Sequence, residues 1–278
     1  MEGNACYKLS TIKNFITMTH ADEVKVIVDI GVNVGDVSLL MYHYFPAARI
    51  FGFEAVKEYF DLAMERTKDI ANITLYNEAV TAQHRFFDDF GEKPRHTNPN
   101  LTIMKGMPAA GPGWQGGSRV VLDDHDMIAI GSATDAYVRI PQPVTPITLE
   151  EFMQREHIAE IDILKLDCEG CEHSVLGCAD LKTLRRLRFI TGEYHGIARF
   201  SEIMQRKLFL THKINLIGQH DLGCFFAERL DGQKDGILRY DKSGMLFRRP
   251  WLCDAPIEWH LFNEQFVLPA DRYWHALP

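Results

Sequence analysis

Hydrophobic and polar positions along this chain switch repeatedly between two periods. "KVIVDIG" (25–31) is a continuous, largely β-branched run, the pattern of a strand covered on both faces. "VGDVSLLMYHYF" (34–45) follows at helical period, and Pro46 ends it. "ARIFGFEA" (48–55) reads as a second strand, "VKEYFDLAMERTKDI" (56–70) as a second amphipathic helix and "NITLYNEAV" (72–80) as a third strand. Short links between such units predict a parallel sheet with right-handed crossovers. The alternation then stops. Residues 90–143 are rich in Gly, Pro, Asn and His, with short strands expected only at "SRVVLDD" (118–124) and "AYVRIPQPV" (136–144). It resumes with helix "TLEEFMQREHI" (148–158), strand "IDILKLD" (161–167), one long helix "EHSVLGCADLKTLRRL" (172–187), strand "FITGEYH" (189–195) and helix "SEIMQRKLFLTHK" (201–213). "INLIGQHD" (214–221) and "CFFAERL" (224–230) complete the sheet as a hairpin-like pair.

Three parts follow: an N-terminal helical extension (1–22), an α/β domain (23–240) carrying the 90–143 insertion, and a tail (241–278) with Trp251, Trp259 and Trp274. A connection as long as the insertion is usually functional, disordered or a small subdomain. With Trp114 among glycines, it reads as a lid or substrate loop. For the tail two readings stand: a lid over the acceptor, or burial of its tryptophans at a homodimer interface.

Composition narrows the function classes. The net charge is −8 and the pI about 5.8, which removes the bulk electrostatic case for nucleic acid or an anionic membrane. The basic run "LKTLRRLRF" (181–189) reads as a solvated helix end. No apolar stretch approaches the roughly 18 residues of a membrane span, and the first twenty residues lack the apolar core of a secretory signal. Six scattered cysteines do not make a disulfide scaffold, so a reduced, cytoplasmic setting is expected. Cys168 and Cys171 form a lone C-x-x-C without the second pair a zinc site needs, and read as packing residues at a helix start.

Polar residues close successive strands: Asp29 and Gly31 after the first, Glu54 after the second, Asp167 after the fourth. In an open parallel sheet ligands bind beyond the carboxyl ends of the strands, so these residues should converge. The first turn reads D-x-G-x-N-x-G, with Asn33 and Gly35, and not the G-x-G-x-x-G that cradles a pyrophosphate. It suits a ligand without phosphate, such as S-adenosylmethionine. Glu54 is spaced to accept hydrogen bonds from ribose hydroxyls, a role an NAD site would share.

"VIVDIGVNVGDVSLL", "IFGFEAV", "NITLYNEAV", "TPITLEEF" and "IDILKLDCEGCEHSVLGCADL", in that order, resemble the FkbM family of S-adenosylmethionine-dependent methyltransferases. The likeness covers roughly residues 24–82 and 144–195, and its K-x-D-x-E-G-x-E block is the most specific part. Val32 and Ala55 replace the family's usual Ala and Pro without removing a functional side chain. The resemblance implies a Rossmann-like class I methyltransferase: a seven-stranded, mostly parallel sheet with the last strand antiparallel and helices on both faces. It also implies S-adenosyl-L-methionine as cofactor. Asp29, Gly31, Asn33 and Gly35 would surround the methionine moiety, Glu54 the ribose, and Asn77, Glu78 and Ala79 the adenine, with Asp167 opening towards the methyl group.

On the catalytic side, "GEYH" places Glu193 and His195 on the same rim as Asp167. With an ordinary pKa near 6.5, His195 is the expected base, assisted by Asp167 and Glu193. Glu169 and Glu172 lie in the first turn of the next helix; for Glu172, favourable interaction with the helix dipole is the expected role. "DDHD" (123–126) reads as a solvated loop, and no metal is expected. The expected activity is O-methylation of a hydroxyl on a small molecule: a sugar, glycolipid or polyketide-type metabolite. An N- or C-methyltransferase of the same fold, or a non-catalytic cofactor-binding domain, are the alternatives. The absent dinucleotide fingerprint and "KLDCEGCE" argue against an NAD-linked oxidoreductase.

Overall fold

The computed structural model of the chain describes residues 22–81, 102–106, 119–121, 137–140, 144–217 and 222–230. The expected N-terminal extension up to residue 21, Trp114, the "DDHD" run and the tail lie outside them. Seven strands form the main sheet: β1 (Val26–Ile30), β2 (Arg49–Phe53), β3 (Ile73–Tyr76), β9 (Ile161–Leu166), β10 (Leu187–His195), β11 (His212–Ile217) and β12 (Leu222–Arg229). Their order is β11-β12-β10-β9-β1-β2-β3. The pairs β2·β3, β1·β2, β1·β9 and β9·β10 are parallel, and β12 runs antiparallel to both neighbours. The order reverses direction between β1 and β9, which is the switch point where such sheets bind ligands.

Alternation along each strand divides the core between the two faces. On one face Ile27, Ile50, Ile163, Phe189 and Phe226 pack against Met41 and Phe45 of α1 (Asp36–Tyr44) and its end. Ala63 of α2 (Lys57–Thr67) joins Val32 and Leu75. On the other, Val28, Phe53, Leu164 and Ile190 meet Phe152 of α3 (Leu149–Arg155), Leu176 of α4 (Cys171–Cys178) and Phe200 of α6 (Ile197–Arg206). Helices on both faces require the parallel strands to be apolar throughout, and β1 and β9 are buried along their whole length.

Four segments differ from the pattern reading. "NITLYNEAV" is two strands: β3 stays in the main sheet, while β4 (Glu78–Val80) pairs in parallel with β8 (Thr145–Ile147). The helix expected over 172–187 breaks after α4. Ala179 is extended, and Asp180 caps α5 (Leu181–Leu184) by accepting from the Thr183 amide at 2.6 Å. Helix 201–213 instead starts at Ile197, and after Arg206 a 3₁₀ turn (Leu208–Leu210) leads into β11. Within the insertion, β5 (Thr102–Gly106) pairs antiparallel with both β6 (Arg119–Val121) and β7 (Tyr137–Ile140). β6 and β7 lie in the stretches expected to be strands; β5 carries no alternation that stood out. No helix among the described residues is long and apolar enough to cross a membrane.

Candidate active site

The site begins with a charged row inside the sheet. In the strand register Gly52, Asp29, Lys165 and Thr191 stand abreast on β2, β1, β9 and β10. Asp29 is wholly buried and Lys165 nearly so. Ser38 of α1 donates to Asp29 Oδ2 at 2.6 Å, and Lys165 Nζ lies 2.8 Å from Oδ1 as an ion pair. The same ammonium donates to the Gly31 carbonyl at 2.7 Å and stands 3.8 Å from Asp167 Oδ2. Burial presses the Lys165 pKa down, but Asp29 and Asp167 outweigh it and hold the ammonium above its ordinary value. Asp29 anchors the turn from below, through the Ser38 hydroxyl at Oδ2 and the Lys165 ammonium beside Oδ1. Lys165, to which the sequence reading gave no role, ties the first turn to the end of β9; a lysine in the fully buried run "IDILKL" was the signal.

The turn after β1 is built to lie close to its neighbours. Gly31 has φ +83°, and a Cβ there would fall 1.9 Å from the Asp167 carbonyl oxygen, so no side chain fits. Asn33 is left-handed at φ +54°, and its Oδ1 accepts from the Val34 amide at 2.7 Å. Gly35, at φ +91°, leads into α1. Arg66 of α2 secures that entry by donating to the Val34 carbonyl at 2.7 Å and pairing with Asp36 at 2.6 Å.

Glu54 stands at the end of β2 facing this turn. Its Oε2 accepts from the Asn33 amide at 2.7 Å and its Oε1 from the Val56 amide at 2.8 Å. Burial nonetheless pushes its pKa up to about 7 against those hydrogen bonds. The charged form is thus short of donors, while each oxygen keeps a lone pair beyond its backbone amide. A pair of hydroxyls delivered to those oxygens fits this carboxylate. Asn77 donates to the Glu54 and Ala55 carbonyls at 2.8 and 3.1 Å, so it fixes the chain beside Glu54. Glu78 forms a two-pronged pair with Arg155 at 2.9 and 3.0 Å, and Ala79 packs with Val56, Tyr59 and Val144.

Across the switch point lies a second cluster. Glu172, in the first turn of α4, is 1% exposed. Its Oε1 accepts from the His195 amide at 2.8 Å and lies 3.1 Å from His195 Nδ1. Glu169 Oε2 lies 3.1 Å from His195 Nε2. Burial alone would discharge this ring, but the two carboxylates raise its pKa to about 10. Held between two carboxylates, the His195 ring thus favours its charged form at neutral pH. Burial raises the Glu172 carboxyl in turn, and contact with the charged ring outweighs it and holds the pKa below the usual range. Neighbouring His173 donates from Nε2 to the His195 carbonyl, and burial keeps its ring neutral. Glu172 was expected to answer only the helix dipole; its burial against His195 is the larger fact. Glu193 lies two residues before His195 on β10, partly buried.

Because the folded His195 pKa of about 10 exceeds the ordinary ~6.5 of an unfolded chain, its pairing contributes stability fully below about pH 6.5. That contribution disappears as pH rises through about 10. Thermal melts should therefore fall more between pH 7 and 10 in the native protein than in Glu172→Gln. Equal slopes would refute the pairing.

Cys168 and Cys171 are joined in a disulfide, which replaces the expected reduced packing pair. Among the described residues no group of three or more His, Cys, Asp or Glu is arranged to hold a metal ion.

The strand order, the glycine turn and the carboxylate after β2 define a class I methyltransferase. Residues 29–215 match the model of the methyltransferase FkbM domain, and the chain belongs to this family of S-adenosylmethionine-dependent methyltransferases. No curated protein sequence matches the chain significantly. Similar solved structures include a precorrin-6y C5,15-methyltransferase from Geobacter metallireducens, at 12% identity and TM-score 0.39, covering 80% of this chain and 89% of that one. An rRNA methylase from Streptococcus thermophilus has 11% identity and TM-score 0.40, covering 78% and 93%. An S-adenosylmethionine-dependent O-methyltransferase from Thermotoga maritima has 11% identity and TM-score 0.41, covering 82% and 67%. Family membership rests on the matched residues and not on these structures.

Proposed function

We propose that this methyltransferase transfers a methyl group to a hydroxyl of a small molecule of the sugar, glycolipid or polyketide type. The observation that carries the reading is the His195 ring held between Glu169 and Glu172 at the carboxyl ends of β9 and β10. A hydroxyl must shed its proton as its oxygen attacks, and a nearby carboxylate is a suitable acceptor. Glu169 is the more open of the two carboxylates, with 26% of its side chain exposed against 1% for Glu172. In this reading Glu169 takes the proton, His195 steadies and orients it, and Glu172 holds His195. Asp167 and Glu193 line the same rim.

S-adenosylmethionine supplies an electrophilic methyl on a sulfonium. The chain's task is then orientation: the acceptor oxygen must stand in line with the breaking S–C bond. The turn from Gly31 through Asn33 to Gly35 would hold the methionine end, with Asp29 and Lys165 fixing that turn from beneath. Glu54 would accept from the ribose hydroxyls, and the chain at Asn77, Glu78 and Ala79 would pass the adenine.

The reading is tested by incubating the full-length protein with methyl-deuterated S-adenosylmethionine and a panel of hydroxylated metabolites, alongside matched amines and activated carbon acids. Formation of a methyl ether is expected; transfer confined to nitrogen or carbon would overturn it. The ribose assignment has its own check. Glu54→Ala should weaken S-adenosylhomocysteine binding by more than about tenfold, because charged hydrogen bonds are lost. Since the ionised carboxylate is the accepting form, affinity of the native protein should also decline as pH falls through about 7. Unchanged affinity in Glu54→Ala refutes the assignment.

A further inference from the structure

The short loop from β9 into α4 touches both halves of the site, and the Cys168–Cys171 disulfide closes it. At its near end the Asp167 amide donates to the Ile30 carbonyl at 3.0 Å, and the Asp167 carbonyl is the group that excludes any Cβ at Gly31. At its far end Glu172, directly after Cys171, holds the amide and ring of His195. Glu169, inside the disulfide ring, holds the other ring nitrogen. Both residues enclosed by the disulfide are left-handed, Glu169 at φ +55° and Gly170 at φ +109°. Such a conformation is uphill for a glutamate and persists where its surroundings impose it. The disulfide is the covalent part of those surroundings.

Neither cysteine is sealed in the core; both are partly exposed. Cys171 is the first residue of α4, so a thiolate leaving there lies at the positive end of the helix dipole. This favours exchange, against the opposing charges of Asp167 and Glu169; Glu172 is already compensated by His195.

We propose that Cys168 and Cys171 are a redox-active pair which exchanges with a dithiol reductant and thereby tunes cofactor binding. A thiolate of the reductant attacks one sulfur, the Cys168–Cys171 bond breaks and a mixed disulfide forms. The reductant's second thiolate then resolves it. Two electrons and two protons end on the Cys168 and Cys171 thiols, and the reductant leaves as its disulfide. The closed loop holds the Gly31 turn preorganised against Asp167, so the oxidised form binds S-adenosylhomocysteine more tightly. By linkage, the ligand stabilises the disulfide by the same factor. The proposal leans on the cofactor lying at the Gly31–Gly35 turn, and not on the identity of the acceptor.

The full-length protein is equilibrated in dithiothreitol redox buffers of graded poise, acid-quenched and alkylated, and the peptide containing residues 168–171 is weighed. One reversible two-electron transition is expected. Saturating S-adenosylhomocysteine should move its midpoint by about 30 mV towards the disulfide, which corresponds to about tenfold in affinity. Calorimetry on the oxidised and reduced protein should give the same factor, and Cys168→Ser/Cys171→Ser should bind as the reduced form does in either buffer. Cysteines alkylated at every poise, a disulfide that never reduces, or a midpoint unmoved by the ligand would each overturn the proposal. So would redox-dependent affinity persisting in the double variant. If that variant does not fold, the native titration decides alone. Failure of the cofactor placement itself would show separately, as unchanged affinity in Glu54→Ala.

Discussion

Replacing Lys165 with methionine is expected to destabilise the fold by about 3–5 kcal/mol, the cost of leaving one member of a buried ion pair without its partner. Asp29 has no exposed surface, and Ser38 supplies only one hydrogen bond to it. Without the ammonium the carboxylate must either stay charged in the core or take up a proton. The Gly31 carbonyl loses its donor at the same time. Methionine keeps most of the lysine volume, so a packing defect contributes little. The control is Asp29→Asn combined with Lys165→Met, which removes both charges and should recover a large part of the loss. Urea denaturation of the three variants against the native protein measures this. A Lys165→Met midpoint close to native would mean that the pair is not what holds the turn.

This row explains why part of the site was legible in advance and part was not. Asp29, Glu54 and Asp167 were readable because strand ends in a parallel sheet converge, and polar residues there have few other reasons to follow apolar runs. The pattern also conveyed the parallel pairing, since continuous apolar strands with helices between them leave little topological choice. What each side chain touches depends on register, which pattern does not contain. Only the pairing of β1 with β9 sets Lys165 beside Asp29 and makes the two an internal anchor. Glu172 was misjudged for the same reason. In sequence it is an acid in a first helical turn, and the approach of β10 makes it the partner of His195. The broken helix after Cys178 was missed because Leu and Arg spacing stays helical across Ala179 and Asp180, although the capping aspartate was there to be read. The disulfide is likewise a matter of placement: here the two residues between the cysteines turn left-handed as the sulfurs meet, which spacing alone does not show.

The strongest catalytic effect is expected at Glu169. Glu169→Gln should lower kcat on the hydroxyl acceptor by about 10²–10⁴-fold, the usual contribution of a positioned proton acceptor. S-adenosylhomocysteine affinity should stay near native, because Glu169 touches His195 and has no place in the cofactor turn. His195→Gln should lower kcat by less, since the carboxylate survives but loses its charged support. The pH profile separates this arrangement from one with His195 as the base. His195 remains protonated until about pH 10. The native rate should therefore be level from about pH 7 to about 9 and change only as the imidazolium discharges. A neutral histidine base would instead give a rate climbing tenfold per pH unit below its pKa, since only the rare unprotonated fraction would be active. Such a climb through neutral pH, abolished in His195→Gln, would return the base role to the histidine. A level profile with Glu169→Gln inactive would leave the proton with the carboxylate, and make the Glu172–His195–Glu169 chain the support on which it rests.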